Sequence, residues 1–231
     1  MDTNGENAMN KHFFQLSEEK QQAILQAGFE VFSRNSYHSA SMQQAADAAG
    51  ISKSLLFHYF KNKKEYYLFL WDTCSDITIA WLERWNCYRQ KNLFDTLERG
   101  LKAKAALIKE RPELARFTLR AFYETDPEIR QAIQDSYHEK FNFKQDQALL
   151  NLDSQQFREG INIEMMYREM YWASEGYLWE MMQKPDIPLD ALEKTFSQLI
   201  AFWKKTYLKN SQPAAKSESE EAAVSDPSED G

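Results

Sequence analysis

The stretch Ser41–Phe60, SMQQAADAAGISKSLLFHYF, decides the fold. Ser41 with Gln44 three residues later forms a capping box, in which the serine oxygen takes a helix amide and the glutamine side chain returns to the amide of the cap. Ala45, Ala46 and Ala49 let that helix approach a neighbour closely. Gly50 stands where the helix must stop, because glycine enters the left-handed conformation without a Cβ penalty. Ile51 plugs the turn, and Ser52 caps a second helix on which Leu56 and Phe60, four apart, face inward. Lys53, Ser54, Leu55, Phe57, His58 and Tyr59 are then expected to stand largely outside. Two short helices about a glycine turn, the second presenting small, polar and aromatic groups, read as a helix-turn-helix.

A DNA major groove admits one α-helix, whose N-terminal residues meet the base edges. Lys53 can donate to guanine O6 or N7, Ser54 can donate or accept, and Leu55 can meet a thymine methyl. His58 either reads a base, binds phosphate or is an ordinary surface histidine, and Phe57 divides between core and groove wall. Lys61, Lys63 and Lys64 follow directly, and the start of the next helix near Lys63 adds backbone N–H groups facing the same anions.

From about Glu19 to Phe69 the chain resembles the TetR family of one-component transcriptional regulators. The resemblance runs through AILQAGFEVF (residues 23–32), Tyr37 and AADAAGISKSLLFHYFKNKKE (residues 45–65). Its core is A-x-x-A-G-I-S-K followed by L-F-x-Y-F-K-x-K. Ser36, Ala45 and Ser54 depart from the family pattern, which usually has glycine, a branched aliphatic and glycine there. The resemblance implies an all-α fold, with a three-helix N-terminal helix-turn-helix DNA-binding domain and a C-terminal helical ligand-sensing and dimerisation bundle. It also implies that Tyr59 and Lys64 grip phosphates and that Ser41 and Gln43 touch the DNA backbone. The expected DNA-binding set is therefore Ser41, Gln43, Ser52, Lys53, Ser54, Leu55, Phe57, His58, Tyr59, Lys63 and Lys64.

Composition permits this. The 231 residues are 43% hydrophobic and 14% aromatic, ample for a core, and only seven glycines and six prolines favour long helices. No run approaches the roughly 20 apolar residues of a membrane span, and the N-terminus lacks the pattern of a signal peptide, so a cytoplasmic protein is expected. A net charge of −7 suits a DNA binder poorly until it is divided. In residues 210–231, Lys216 stands against six acidic residues, whereas in residues 1–64 seven basic residues outnumber six acidic ones. Cys74 and Cys87, expected on one helix, are read as thiols in a reducing compartment. Four histidines with no paired Cys/His spacing give no metal site, and no nucleophile elbow, Walker loop or dinucleotide fingerprint appears. No catalytic residue, cofactor or enzymatic activity is therefore expected.

Four segments are expected: a polar arm at 1–16, in which Phe13, Phe14 and Leu16 anchor the entry, the DNA-binding domain at 17–62, a helical domain at 63–209, and a disordered acidic tail at 210–231. Helical patterns fall at 17–35, with Ser17 as cap, then 42–49, 53–59, 62–88, 93–109, 112–124, 126–150, 162–183 and 189–208. The aromatic and methionine content of the larger domain suits a small, mainly apolar effector. Trp81, Trp85, Phe117, Phe122 and Trp172 are the candidate wall, and Tyr123 or Glu175 the polar handle. The last two helices are apolar on more than one face: Met166, Met170, Ala173 and Tyr177 on one side of 162–183, and Tyr171, Leu178 and Met182 on another. That pattern suits a homodimer contact. The leading reading is a homodimeric, ligand-responsive repressor that binds palindromic operator DNA. The alternative is a constitutive DNA-binding or adaptor protein whose C-terminal domain binds another protein.

Overall fold

The computed structural model describes residues 11–89, 92–142, 153–182, 184 and 189–209. Its helices are α1 (Lys11–Phe14), α2 (Glu18–Arg34), α3 (Met42–Ala48), α4 (Lys53–Tyr59), α5 (Lys63–Arg84), α6 (Leu93–Glu110), α7 (Pro112–Phe122), α8 (Arg130–Tyr137), α9 (Ile163–Met182) and α10 (Leu189–Tyr207). Among the described residues there is no strand, only an isolated bridge between Phe157 and Leu208. The expected all-α architecture is the observed one. The expected arm at 1–10, the stretch 143–152 and the acidic tail lie outside the described residues.

The short helices are fixed by their ends. Ser41 Oγ accepts from Gln44 N at 3.2 Å while Gln44 Oε1 accepts from Ser41 N at 2.8 Å, which completes the capping box of α3. At the other end Gly50 takes a φ of +67°, and Ile51 N donates to Ala46 O and Gly50 N to Asp47 O, both orphan carbonyls of the last turn. Ser52 Oγ then accepts from Leu55 N at 3.2 Å and starts α4. Asn62 Oδ1 does the same for α5 through Glu65 N at 2.8 Å. Ser17 departs from expectation: its side chain makes no capping bond, and Glu18 and Glu19 alone occupy the positive end of the α2 dipole. Ser36 needs no glycine-like backbone: its hydroxyl meets that of Ser39 at 2.9 Å and its carbonyl accepts from Ala40 N, which closes the turn.

Two helices differ in length from the sequence pattern. α5 stops at Arg84 rather than near 88, because Asn86 adopts a φ of 54° and sends the chain into a 3-10 turn at Cys87–Arg89. Cys87 therefore leaves the helix that carries Cys74, and both thiols are buried and free. α8 starts at Arg130, four residues after Asp126, because the Asp126 carboxylate accepts from Glu128 N and its carbonyl from Ile129 N and Arg130 N, holding a turn first.

One apolar core runs through the N-terminal helices into α5, α7 and α8. Phe13 anchors α1 in it, although Phe14 is exposed. Phe29 and Phe32 of α2, Tyr67 of α5 and Phe117 of α7 meet ring to ring, with centroids 4.9–6.5 Å apart. At Gly28 α2 packs tightly on α5: a Cβ there would lie 2.5 Å from both Leu70 Cδ1 and Tyr66 Oη. A second core joins α6 to α9 and α10 through Leu93, Phe94, Met166, Met170, Ile200 and Trp203. Lys140, in the π-helical turn His138–Asn142 after α8, ties that turn to α5, its Nζ 3.2 Å from Asp72 and 2.9 Å from Asp76.

Candidate nucleic-acid interface and sensing cluster

α4 is seven residues long and buries one side. Leu56 and Phe60 are fully buried against the N-terminal core. Lys53, Ser54, Leu55, Phe57 and His58 all face out, with Phe57 39% exposed, so its ring belongs to the surface. Tyr59 is a correction: it is 8% exposed and its ring forms part of the core, because position 59 falls beside Leu56 on the helix surface. The Lys53 ammonium lies 5.9 Å from the centre of the Phe57 ring, an arrangement that lays the lysine along the outer face. Gln43 is exposed at the edge of α3, its Nε2 donating to Asp47 at 2.6 Å, while Ser41 and Ser52 hold their caps and stay at the surface.

The three lysines after α4 are not equivalent. Lys63 turns inward: its Nζ donates to Tyr37 O at 2.8 Å, Ala40 O at 3.1 Å and His38 O at 3.4 Å, and lies 4.5 Å over the Tyr37 ring. An ammonium has three donors, so these carbonyls use all of them. This corrects the expectation that Lys63 joins the phosphate-facing set. It is a clasp for the loop between α2 and α3. Lys61 remains exposed and Lys64 half-buried. The same loop is held from the other side by Glu124, whose carboxylate accepts from Tyr37 N at 2.7 Å and from the amides of Thr125 and Asp126. Burial, and then a hydrogen bond to Glu128, raise the Tyr37 hydroxyl above its usual range. Sequence reasoning missed His12, whose ring stacks 4.5 Å from His58 and brings α1 beside the outward face of α4; no spacing in the sequence signals that contact.

The geometry so far is a capped, glycine-turned helix pair with the second helix presenting its N-terminal half to solvent. Residues 24–68 match the family of bacterial regulatory proteins called the tetR family. Over these residues the chain matches the N-terminal domain of the tetR family. It is 36% identical over 61 residues to the HTH-type transcriptional regulator RutR of Escherichia coli, and 43% identical over 51 residues to the HTH-type transcriptional activator FasR of Mycolicibacterium smegmatis. Those stretches cover 26% and 22% of this chain, and only 29% and 23% of the relatives' lengths. Among solved structures, SmeT, the repressor of the Stenotrophomonas maltophilia multidrug efflux pump SmeDEF, superposes with a TM-score of 0.60 at 18% identity, over 86% of this chain and 94% of SmeT. The fatty acid degradation regulator FadR of Bacillus halodurans gives 0.58 at 18% identity, over 80% and 96%. These likenesses extend the shared fold into the C-terminal helices.

The residues expected around an effector do not form one wall. Phe117 lies in the core shared with α2. Trp81 donates from Nε1 to Ala103 O at 2.8 Å, and Trp85 packs on Leu82, Cys87 and Ala103, so both line the far end of α5. Trp172 is 58% exposed. Only Phe122, Tyr123 and Glu175 gather: the Tyr123 hydroxyl donates to Glu175 Oε2 at 3.1 Å, and the Phe122 ring meets Tyr123 edge-on and Tyr137 at a tilt. Trp179, 5.9 Å from Tyr123, and Tyr171, one turn before Glu175, complete the group. Burial lifts the Glu175 carboxyl above its usual range, and the Tyr123 hydrogen bond opposes that lift.

The apolar faces of α9 are also reassigned. Met166 and Met170 are buried within the chain, Ala173 packs beside them, and the Tyr177 hydroxyl donates to Ala191 O. That face is internal. The more exposed side of α9 instead carries Met165 and Trp172, seven apart, 52% and 58% exposed; Phe202 of α10 is 58% exposed. Among the described residues no helix is long and apolar enough to cross a membrane, and no cluster of three His, Cys, Asp or Glu side chains offers a metal site.

Proposed function

We propose that the chain is a homodimeric, ligand-responsive transcriptional regulator that represses by binding palindromic operator DNA and is released by a small, mainly apolar effector. The observation that carries this reading is α4, with its inner side fixed by Leu56 and Phe60 and its outer side offering Lys53, Ser54 and Leu55. A helix so mounted enters a major groove with its first turn against the bases. Ser41, Gln43, Ser52, Lys64 and the Tyr59 hydroxyl are assigned to the DNA backbone, with His58 and Phe57 at the groove edge. Met165 and Trp172 on α9 and Phe202 on α10 are exposed, a costly surface for a monomer, and support a two-fold contact between copies.

The test is selection of bound duplexes from a random library by the full chain. A near-palindrome with half-site centres about 34 Å apart, or a multiple of it, is the expected product. Failure to enrich any sequence overturns the reading. Light scattering of the Trp172→Glu variant should show monomers, and a dimer that survives moves the interface elsewhere. The effector role is tested by release of the selected DNA on adding ligand, with Tyr123→Phe shifting the concentration required.

A further inference from the structure

Resting on the sensor reading above, we propose that the effector site takes an organic cation, a quaternary or protonated amine on an apolar body, held by Glu175 within the ring cluster of Tyr123, Tyr171, Trp179 and Phe122. The first observation is the carboxylate's company. Glu175 sits half-buried in the middle of α9, and its hydrogen-bond partner among the described residues is the Tyr123 hydroxyl. No lysine, arginine or histidine among those residues forms an ion pair with it, whereas Glu164, Glu98 and Glu193 each meet a cation. A carboxylate drawn partly out of water without an opposing charge is an unfavourable arrangement that an incoming cation relieves.

The second observation is what surrounds it. Tyr123 meets Trp179 at 5.9 Å and Phe122 at 4.9 Å, and Phe122 meets Tyr137 at 4.7 Å. Tyr171 precedes Glu175 by one helical turn and Trp179 follows by one, so both flank the carboxylate on α9. A single negative charge beside aromatic rings favours a positive centre, which a ring quadrupole also attracts, over an anion. Tyr171 and Trp179 are 39% and 50% exposed, which leaves the cluster open at the surface. A purely apolar ligand would gain the rings but leave Glu175 unanswered. The Tyr123 hydroxyl, donating to Oε2, holds the carboxylate in place until a cation takes that position.

The site also has a route to the DNA-binding domain. Tyr123 closes α7, and the next residue, Glu124, holds the amide of Tyr37. A cation that displaces the Tyr123 hydroxyl from Glu175 therefore acts one residue from the clasp on the α2–α3 loop.

The test uses the full-length chain and a matched set of probes: benzyltrimethylammonium, its uncharged carbon isostere neopentylbenzene, and benzoate. Calorimetry and tryptophan fluorescence report binding, and release of the selected operator reports the consequence. The ammonium is expected to bind at least about tenfold more tightly than the isostere, and benzoate not to bind. Glu175→Gln, whose folding is checked by circular dichroism, should remove that advantage and leave the isostere unchanged. Equal binding of ammonium and isostere, or an unaltered preference in Glu175→Gln, overturns the cation assignment. Release of operator by the isostere but not the ammonium overturns it while leaving the sensor reading intact. No binding and no release by any of the three overturns this inference, and the sensor reading falls separately if a broad neutral library also fails to release the operator.

Discussion

Replacing Gly28 by alanine puts a methyl group where two side chains already stand. The new Cβ would lie 2.5 Å from Leu70 Cδ1, 2.5 Å from Tyr66 Oη and 2.8 Å from Leu70 Cδ2. Neither neighbour can step aside easily: both are fully buried, and Tyr66 Oη donates to Ile24 O at 2.5 Å. Overpacking of this kind costs about 1–3 kcal/mol, while alanine recovers about 1 kcal/mol of helix propensity over glycine. Three sub-contact distances on pinned atoms place the clash in the upper part of that range, so the net loss is about 1–2 kcal/mol. For a chain of this size that lowers Tm by roughly 2–8 °C. The measurement is thermal and urea unfolding at matched protein concentration, because assembly shifts apparent stability. Tyr66→Phe removes one colliding atom, so the alanine penalty should shrink in that background, giving a coupling energy in a double-mutant cycle. A Gly28→Ala protein as stable as its parent, with no coupling to Tyr66, would refute the reasoning that this glycine sets the α2–α5 spacing.

Lys63 and Lys64 should separate in a salt titration of operator binding. Lys64→Ala weakens all sequences alike and reduces the salt slope by about one counterion per half-site, whereas Lys63→Met lowers unfolding stability, and a slope change without a stability change would reverse the assignment. Glu124→Ala removes the acceptor of three backbone amides and should cost about 1–3 kcal/mol, with Glu124→Gln milder; denaturation curves that superpose on the parent would show the contacts to be incidental. Burial pushes the Cys74 thiol up to about 12, so it stays protonated in the folded chain while the unfolded thiol ionises near its ordinary value. Its contribution to stability is full below about pH 8.5 and is lost as pH rises toward the folded value. Labelling of Cys74 at pH 8 should follow global opening, and rapid labelling of the native protein would contradict its burial.

The N-terminal half was legible because its signals are local. Ser41, Gln44, Gly50 and Ser52 act on backbone within five residues of themselves, so their chemistry can be read without knowing the fold. Lys63 was misassigned for the opposite reason. Its carbonyl partners lie 23–26 residues away, and a basic run looks the same whether it faces phosphate or a loop. Tyr59 shows the limit of a helical wheel on a two-turn helix, where one residue's rotation decides inside from outside. In α9 the heptad of Met165, Trp172 and Trp179 was hidden because Met166, Met170 and Tyr177 make an equally apolar face, and only the position of α6 and α10 says which is internal. The pairing of Tyr123 with Glu175 spans 52 residues, and their residue types hinted only that a polar group belonged somewhere in the aromatic region.

The core that joins Phe29 and Phe32 to Phe117 has an implication for protein engineering. The Asn62 cap looks like a natural cut point, and chimeric regulators are assembled by fusing the reading head of one chain to the sensor of another. Here that graft would sever a shared aromatic stack and strand the Tyr37 amide without its Glu124 acceptor. The heritable unit is larger than the reading head: α7 and the residue that follows it must travel with α1–α4, or be rebuilt in the recipient. A transplant of residues 11–62 alone would carry the outward side chains of α4 but not the footing that aims them.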